Sequence, residues 1–265
     1  MIRNTVVLTV AGSDSGGGAG IQADIKTFSA CGVYGASVIT AVTAQNLEGV
    51  RAIQAIRPAV VEAQLRAVLQ GYPVKAIKTG MLFSRGIIEA LASVLEERRR
   101  IPLVVDPVFA ATSGSRLIKP AAIRLLCQRL FPLAALVTPN VPEAEFLCCG
   151  PIRSLADLRE AGVLLCDHYG VPFLMKGGHL ADTAGAVDLL VDRKRVTAYR
   201  SAMVAGVNSH GSGCTFSAAI AAGLAQGHRL PRAVAEAKAF IGAGLKRPHL
   251  LRPGTRVIDH FHRRR

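Results

Sequence analysis

The 265-residue sequence predicts one doubly wound α/β domain built on a central, mostly parallel sheet. Half of the residues are apolar, which excludes a disordered chain and suffices for one large core. Short apolar runs alternate with helical patterns along the chain, the layout of repeated strand–helix units. Those runs are continuous rather than alternating, as expected of strands covered on both faces of a sheet. No linker, low-complexity stretch or internal repeat interrupts the series, so residues 1–265 read as a single domain.

Val6–Val10 opens the series as a β-branched strand that runs into a glycine-rich turn. A helix is expected from about Ala19 to Ala30, then a strand over Ala36–Thr43. The strands Val74–Lys78, Leu103–Val105, Ala135–Thr138 and Phe173–Lys176 follow. Helical patterns over Ala59–Leu69, Ser84–Arg98, Ala121–Leu130 and Leu155–His168 lie between or beside them. Val187–Val191 and Val196–Tyr199 flank the polar Asp192–Arg195 and read as a hairpin. Thr215–Ala225 and Ala233–Lys246 read as the last two helices. Two uncharged stretches, Thr27–Leu47 and Ser201–His228, have the length of a membrane span. Gly32, Gly35, Gln45 and Asn46 break up the first, and Asn208, His210 and a glycine-rich turn break up the second. Both therefore read as the buried interior of a soluble protein, and no membrane partner is expected.

The net charge of +14 admits nucleic acid, acidic membranes or phosphorylated small molecules as partners. The charge is thinly spread, and its runs, Arg98–Arg100 and Arg263–Arg265, follow a helix or end the chain. Trp is absent and no stacking platform or reading motif appears, so nucleic acid is not an expected partner. The six cysteines form no C-x-x-C and no zinc spacing with histidine, and most of them, lying among apolar residues, read as buried thiols. Met1–Asn4 runs straight into a strand without a signal-peptide layout. These features point to a reducing cytoplasm.

In a doubly wound fold, ligands lie beyond the carboxyl ends of the strands, and the notable polar residues fall there. The first segment runs from Ala11 to Asp24 through Gly12, Gly16, Gly17, Gly18 and Gly20. It is neither a P-loop nor a dinucleotide fingerprint, so it is either a binding loop or a flexible turn. Asp14 and Asp24 can accept hydrogen bonds from a ligand or cap the turn and helix. The second segment, Val207–Thr215, opens an apolar helix with small residues; it is either an anion site made by the unpaired N–H groups there or a structural turn. Cys214 falls in that first turn, where the helix dipole lowers a thiol pKa, and can act as base or acid; alternatively it is a small buried residue. A third group comprises Asp106, Asn140 and Glu143, oxygen donors of the kind Mg²⁺ takes alongside water and substrate phosphates. Glu143 also suits an exposed first-turn acid. Lys176 can reach a phosphate or be a solvated strand-end lysine.

Taken together and in order, these segments resemble the hydroxymethylpyrimidine/phosphomethylpyrimidine kinases of thiamine biosynthesis, within the ribokinase-like fold. The resemblance runs over nearly the whole chain. It also rests on Thr40–Asn46, Lys78-Thr79-Gly80-Met81, Val105–Val108, Thr138–Ala144 and Lys176-Gly177-Gly178-His179. It implies a three-layer α/β/α architecture with ATP and Mg²⁺ as partners of a small pyrimidine substrate. Gln45, whose amide carries both donor and acceptor, would pair with the pyrimidine, and Gly12, Asp24, Met81 and Val108 would complete that pocket. Lys176, with Asn140 and Thr138, would contact ATP. Asp106 and Glu143 would organise Mg²⁺. Gly211, Ser212, Gly213 and Cys214 would form the anion hole, with Cys214 at the place where many ribokinase-like enzymes carry an aspartate base. A homodimer follows by family analogy.

The sequence departs from the family pattern at Ser15, Phe109 and Ser212, which stand where Pro, Met and Thr are common. Ser15 is expected to loosen the loop, Phe109 to reshape the pocket rim, and Ser212 to keep the hydroxyl. Three rival readings are a pyridoxal or pyridoxine kinase of the same fold, a non-catalytic pyrimidine-binding protein, and a basic nucleic-acid-binding protein.

Overall fold

β1 (Val6–Asp14) lies inside the sheet and sends its side chains alternately into two cores. Val6, Leu8 and Val10 join one core, and Val7 joins the other, as the two-residue period of a strand requires. The computed structural model describes residues 5–110, 118, 120–178, 180, 183 and 185–262. His179 and Arg263–Arg265 lie outside the described residues.

After β1 come α1 (Gly20–Ala30), β2 (Tyr34–Asn46), β3 (Gly49–Ala55), α2 (Pro58–Gly71), β4 (Val74–Thr79) and α3 (Arg85–Glu96). β5 (Leu103–Val105), α4 (Pro120–Arg129), β6 (Leu136–Val137), α5 (Val141–Cys148), α6 (Leu155–Tyr169) and β7 (Phe173–Lys176) follow. The chain then forms β8 (Ala186–Asp192), β9 (Arg195–Ser201), α7 (Ser212–Ala225), α8 (Leu230–Lys246), β10 (His249–Arg252) and β11 (Thr255–Val257).

Among the described residues, nine strands form one sheet in the order β3-β2-β1-β4-β5-β6-β7-β8-β9. The strands β2, β1, β4, β5, β6 and β7 pair in parallel, whereas β3, β8 and β9 add antiparallel edges. α1, α7 and α8 cover one face, where Phe28, Phe216 and Phe240 meet Val7, Ala76, Val104 and Leu174. α2 to α6 cover the other, where Leu65, Ile88, Leu126 and Leu158 meet Leu8, Ile77, Val105 and Phe173. The result is a three-layer α/β/α sandwich. β1 sits between β2 and β4, so the connections diverge beside it and open a crevice at the carboxyl ends.

Most expected elements are present within a few residues. β2 runs past Thr43 to Asn46 because it pairs with β3, a half-exposed edge strand that had no counterpart in the sequence reading. The β10–β11 hairpin was likewise not expected. Among the described residues, no helix is long and apolar enough to cross a membrane.

Candidate active site

The loop after β1 is organised by one carboxylate. Asp14 accepts from the N–H groups of Gly16 (2.8 Å), Gly18 (3.1 Å) and Ala19 (2.8 Å), and from His210 Nε2 at 3.1 Å. Burial alone would raise its carboxyl, but the His210 bond and the loop amides hold it below the usual range. Ser15 does not loosen this loop. Its hydroxyl donates to the Gln45 carbonyl (2.9 Å) and accepts from the Gln45 N–H (2.8 Å), which ties the loop to β2.

α7 begins against this loop. Gly211 is its N-cap with φ +78, and a Cβ there would collide with the Gly18 carbonyl oxygen, so both the conformation and the close approach require glycine. The Ser212 and Thr215 N–H groups bond to Ser209 and Gly211. Helix geometry leaves those of Gly213 and Cys214 as the donors an anion can take up. A Cβ on Gly213 would lie 3.2 Å from Lys176 Nζ and 4.0 Å from Asp106 Oδ2, which places the turn directly over that ion pair.

Lys176 donates to Asp106 Oδ1 at 2.9 Å, and Thr138 Oγ1 donates to the same oxygen at 3.1 Å. Ser217, one turn into α7, donates to Asp106 Oδ2 at 3.1 Å. Burial would raise the Asp106 carboxyl, yet Lys176 and Lys78 keep it ionised and lowered. Asn140 and Glu143 form a reciprocal capping box at the start of α5. Glu143 is buried rather than exposed, and burial followed by the nearby Asp106 charge pushes it up to about 7, against the pull of Lys176. Asp106 and Glu143 lie near enough for their charges to interact, both beside Lys176, and one of them resists ionising; such carboxyl oxygens are donors that a hard dication would suit.

Gly12, Met81 and Val108 meet at the carboxyl ends of β1, β4 and β5. Met81 packs with Ala41, Val50, Ile53, Phe83 and Val108, and its methyl fills the space a Gly12 side chain would need. Gln45 stands at the end of β2, its amide 3.3 Å from His210 and 3.1 Å from Thr43. Asp24 does not line this pocket. It is fully buried, bonded by Lys78 Nζ at 2.9 and 2.8 Å and by Thr9 Oγ1 at 2.6 Å, so both its oxygens are occupied. Phe109 turns inward rather than to the rim, edge-on to Phe146 at 5.5 Å.

Sequence reasoning missed Lys78. Burial would lower its ammonium, but the Asp24 and Asp106 carboxylates hold it raised and charged. A lysine inside the apolar run of β4 was the available signal, because a buried cation needs a buried carboxylate. His210 and Ser217 were missed as well, since their partners lie 196 and 111 residues away. The expected dipole effect at Cys214 is outweighed: burial pushes the thiol up to about 11 despite Lys78 beneath it.

The crevice thus has an apolar half with one amide and an ionic half with two lysines, joined by the N-terminus of α7. Fold and site together define a ribokinase-like kinase of small molecules. The sequence profile of the phosphomethylpyrimidine kinase family matches residues 14–258, and the chain belongs to that family. It is 49% identical over 255 residues to the thiamine biosynthesis bifunctional protein ThiED of Geobacter sulfurreducens, matching 96% of this chain and spanning about half (52%) of that relative. It is 46% identical over 264 residues to the hydroxymethylpyrimidine/phosphomethylpyrimidine kinase of Rhizobium meliloti, with 97% of each chain covered. The ADP complex of Bacillus subtilis pyridoxal kinase superposes with a TM-score of 0.89 at 35% identity, covering 98% of both chains.

Proposed function

We propose that this chain, acting as one catalytic unit over residues 1–265, transfers the γ-phosphoryl group of ATP to the hydroxymethyl oxygen of 4-amino-5-hydroxymethyl-2-methylpyrimidine. A second round phosphorylates the monophosphate to the pyrophosphate used in thiamine diphosphate biosynthesis. The observation that carries this reading is the close packing of the Gly211–Cys214 turn over the Lys176–Asp106 pair, with the Gly12–Met81–Val108 pocket beside it.

In this reading, Gly213 and Cys214 amides hold the transferring phosphoryl oxygens and Lys176 neutralises their charge. Thr138 and Ser217 fix the Asp106 carboxylate, and Asn140 fixes Glu143. When bound with the nucleotide, Mg²⁺ supplies charge neutralisation, and Asp106 and Glu143 are the residues that would hold it. Gln45 takes the edge of the pyrimidine while Gly12, Met81 and Val108 enclose its ring. Cys214 takes the proton of the acceptor hydroxyl, and Lys78, beneath it, favours the thiolate. The second acceptor is a phosphate oxygen that is already ionised and asks less of a base. We further propose that the protein is a homodimer and cytoplasmic, the latter in keeping with thiols such as Cys127 and Cys166 buried among apolar side chains.

Mass spectrometry after incubation with the hydroxymethylpyrimidine, ATP and Mg²⁺ tests this directly. Product masses corresponding to one and two added phosphates are expected, and unchanged pyrimidine would overturn the reading. Pyridoxal is a second candidate acceptor, favoured by the 0.89 superposition on a pyridoxal kinase. Parallel turnover of both acceptors decides between them.

A further inference from the structure

We propose that His210 fixes the direction in which the Gln45 amide faces the acceptor ring, and thereby sets which donor–acceptor pattern the site admits. The inference rests on the reading that Gln45 meets the pyrimidine, and deepens it by assigning a specificity-determining role to a residue of the α7 loop.

Hydrogen-bond parity around Gln45 sets the direction of its amide. Thr43 Oγ1 lies 3.0 Å from the Ser13 carbonyl oxygen and 3.1 Å from the Gln45 amide atom placed as Oε1, while the atom placed as Nε2 lies nearer His210. The hydroxyl has a single proton, and a carbonyl oxygen can only accept, so that proton goes to Ser13. Oε1 would then face a hydroxyl oxygen with no second proton to give, so we turn the amide over from that placement: its NH₂ group donates to the Thr43 hydroxyl oxygen. The other amide atom, 3.3 Å from His210 Nε2, is therefore the carbonyl oxygen. On the far side, His210 Nε2 lies 3.1 Å from Asp14 Oδ2. Asp14 is an ionised carboxylate held by three loop amides, and it too can only accept.

Nε2 thus faces two acceptors and must carry a hydrogen. With the amide turned the other way, an NH₂ group would face an N–H, and the Thr43 hydroxyl would owe one proton to two oxygens. The turned-over amide sets no two like groups face to face, with the single His210 Nε2 hydrogen shared between Asp14 and the Gln45 oxygen, and amide orientation is settled by such networks. The two ends of the network are anchored. Ser13 and Asp14 lie on β1, and Thr43 on β2 is the register partner of Asp14. His210 is held through its own N–H on Asn208 Oδ1 at 2.8 Å, and its side chain is only 12% exposed.

The locked amide leaves one N–H and one oxygen lone pair to offer. A 4-aminopyrimidine presents the complementary pair, a ring-nitrogen acceptor beside an exocyclic amino donor. The 4-oxo analogue presents the reverse, a ring N–H beside a carbonyl, and would need the amide turned over. An unpaired buried polar edge is strongly discriminating in such a site.

The test compares kcat/KM for 4-amino-5-hydroxymethyl-2-methylpyrimidine and its 4-oxo analogue. His210→Ala and Thr43→Val each free one end of the amide, and each is expected to lower the preference for the amino compound at least tenfold. The ratio is internally normalised, so a general loss of activity from a displaced loop leaves it unmoved. A preference retained in both variants overturns the role of His210, and so does a loss confined to His210→Ala, which would trace the effect to the loop rather than the amide. Nitrogen-15 NMR of the histidine ring is the second readout: Nε2 is expected to carry hydrogen, and a bare Nε2 overturns the network. Gln45→Ala separates the two layers. If it leaves the amino preference intact, the reading of Gln45 itself fails; if it abolishes the preference while His210→Ala and Thr43→Val do not, only the present inference fails.

Discussion

Lys78 and Asp24 form an ion pair at 2.8 Å with neither side chain exposed, joining β4 to α1 beneath Cys214. Such a pair adds little net stability over an apolar one, but breaking it is costly, because the survivor is left charged in a dry interior. Asp24→Asn is therefore expected to lower the unfolding free energy by ~3–5 kcal/mol. Urea denaturation measures this; a loss below ~1 kcal/mol would show that the pair is not held as described.

Two buried groups make stability respond to pH in opposite senses. Glu143 titrates at about 7 when folded against an ordinary 4.5, so its contribution is full below 4.5 and is lost as pH rises through 7. His260, bonded to Thr215 Oγ1 at 3.0 Å, is pushed by burial down to about 4 from 6.5. Its contribution is present above 6.5 and is lost as pH falls towards 4. In the nucleotide-free protein the two partly cancel between pH 4.5 and 6.5. Glu143→Gln is expected to leave a protein that weakens steadily with acid, and His260→Asn one that strengthens. Melting temperatures across that pH range check both signs.

Gly213→Val is expected to reduce kcat/KM by about 10²- to 10³-fold for both phosphorylation steps, the scale of losing a well-placed donor at a developing charge. Its branched side chain would enter the space 3.2 Å from Lys176 Nζ and separate turn from lysine. Steady-state assays with each acceptor test this; turnover within threefold of the parent would remove the turn from the phosphoryl path.

Cys214→Ala is expected to slow the first transfer about a hundredfold, the lower range for a lost general base, and the second by no more than about tenfold. The thiol, pushed up to about 11, is protonated in the empty site at neutral pH, so first-step rates of the parent should climb towards alkaline pH. Single-turnover measurements of both steps distinguish this from a structural loss, which would slow both alike.

Much of this architecture is legible in the residues. The parallel strands announce themselves because a strand covered on both faces has no polar positions, as Leu103–Val105 illustrates. β3 escapes because Arg51 and Gln54 face outward on an edge, so its pattern resembles a loop. The ionic half of the crevice was readable because Asp106 and Lys176 each close an apolar run. What a linear reading lacks is pairing. The bonds Lys78–Asp24, His210–Asp14 and Ser217–Asp106 span 54, 196 and 111 residues, and nothing local to either partner reveals the other. The Cys214 thiol was misjudged for a related reason: a dipole belongs to one helix, whereas desolvation is imposed by everything around it.

Gly211 meets Gly18 main chain to main chain, with no side chain between them. On the proposed function, the spacing between donor and acceptor compartments is thus written into the backbone and is indifferent to the residues that furnish either room. Evolution could then refurnish the proposed acceptor room, trading Met81, Val108 or Gln45 for other shapes, without disturbing the alignment of the transfer. One scaffold can in this way serve several vitamin precursors while its chemistry stays fixed.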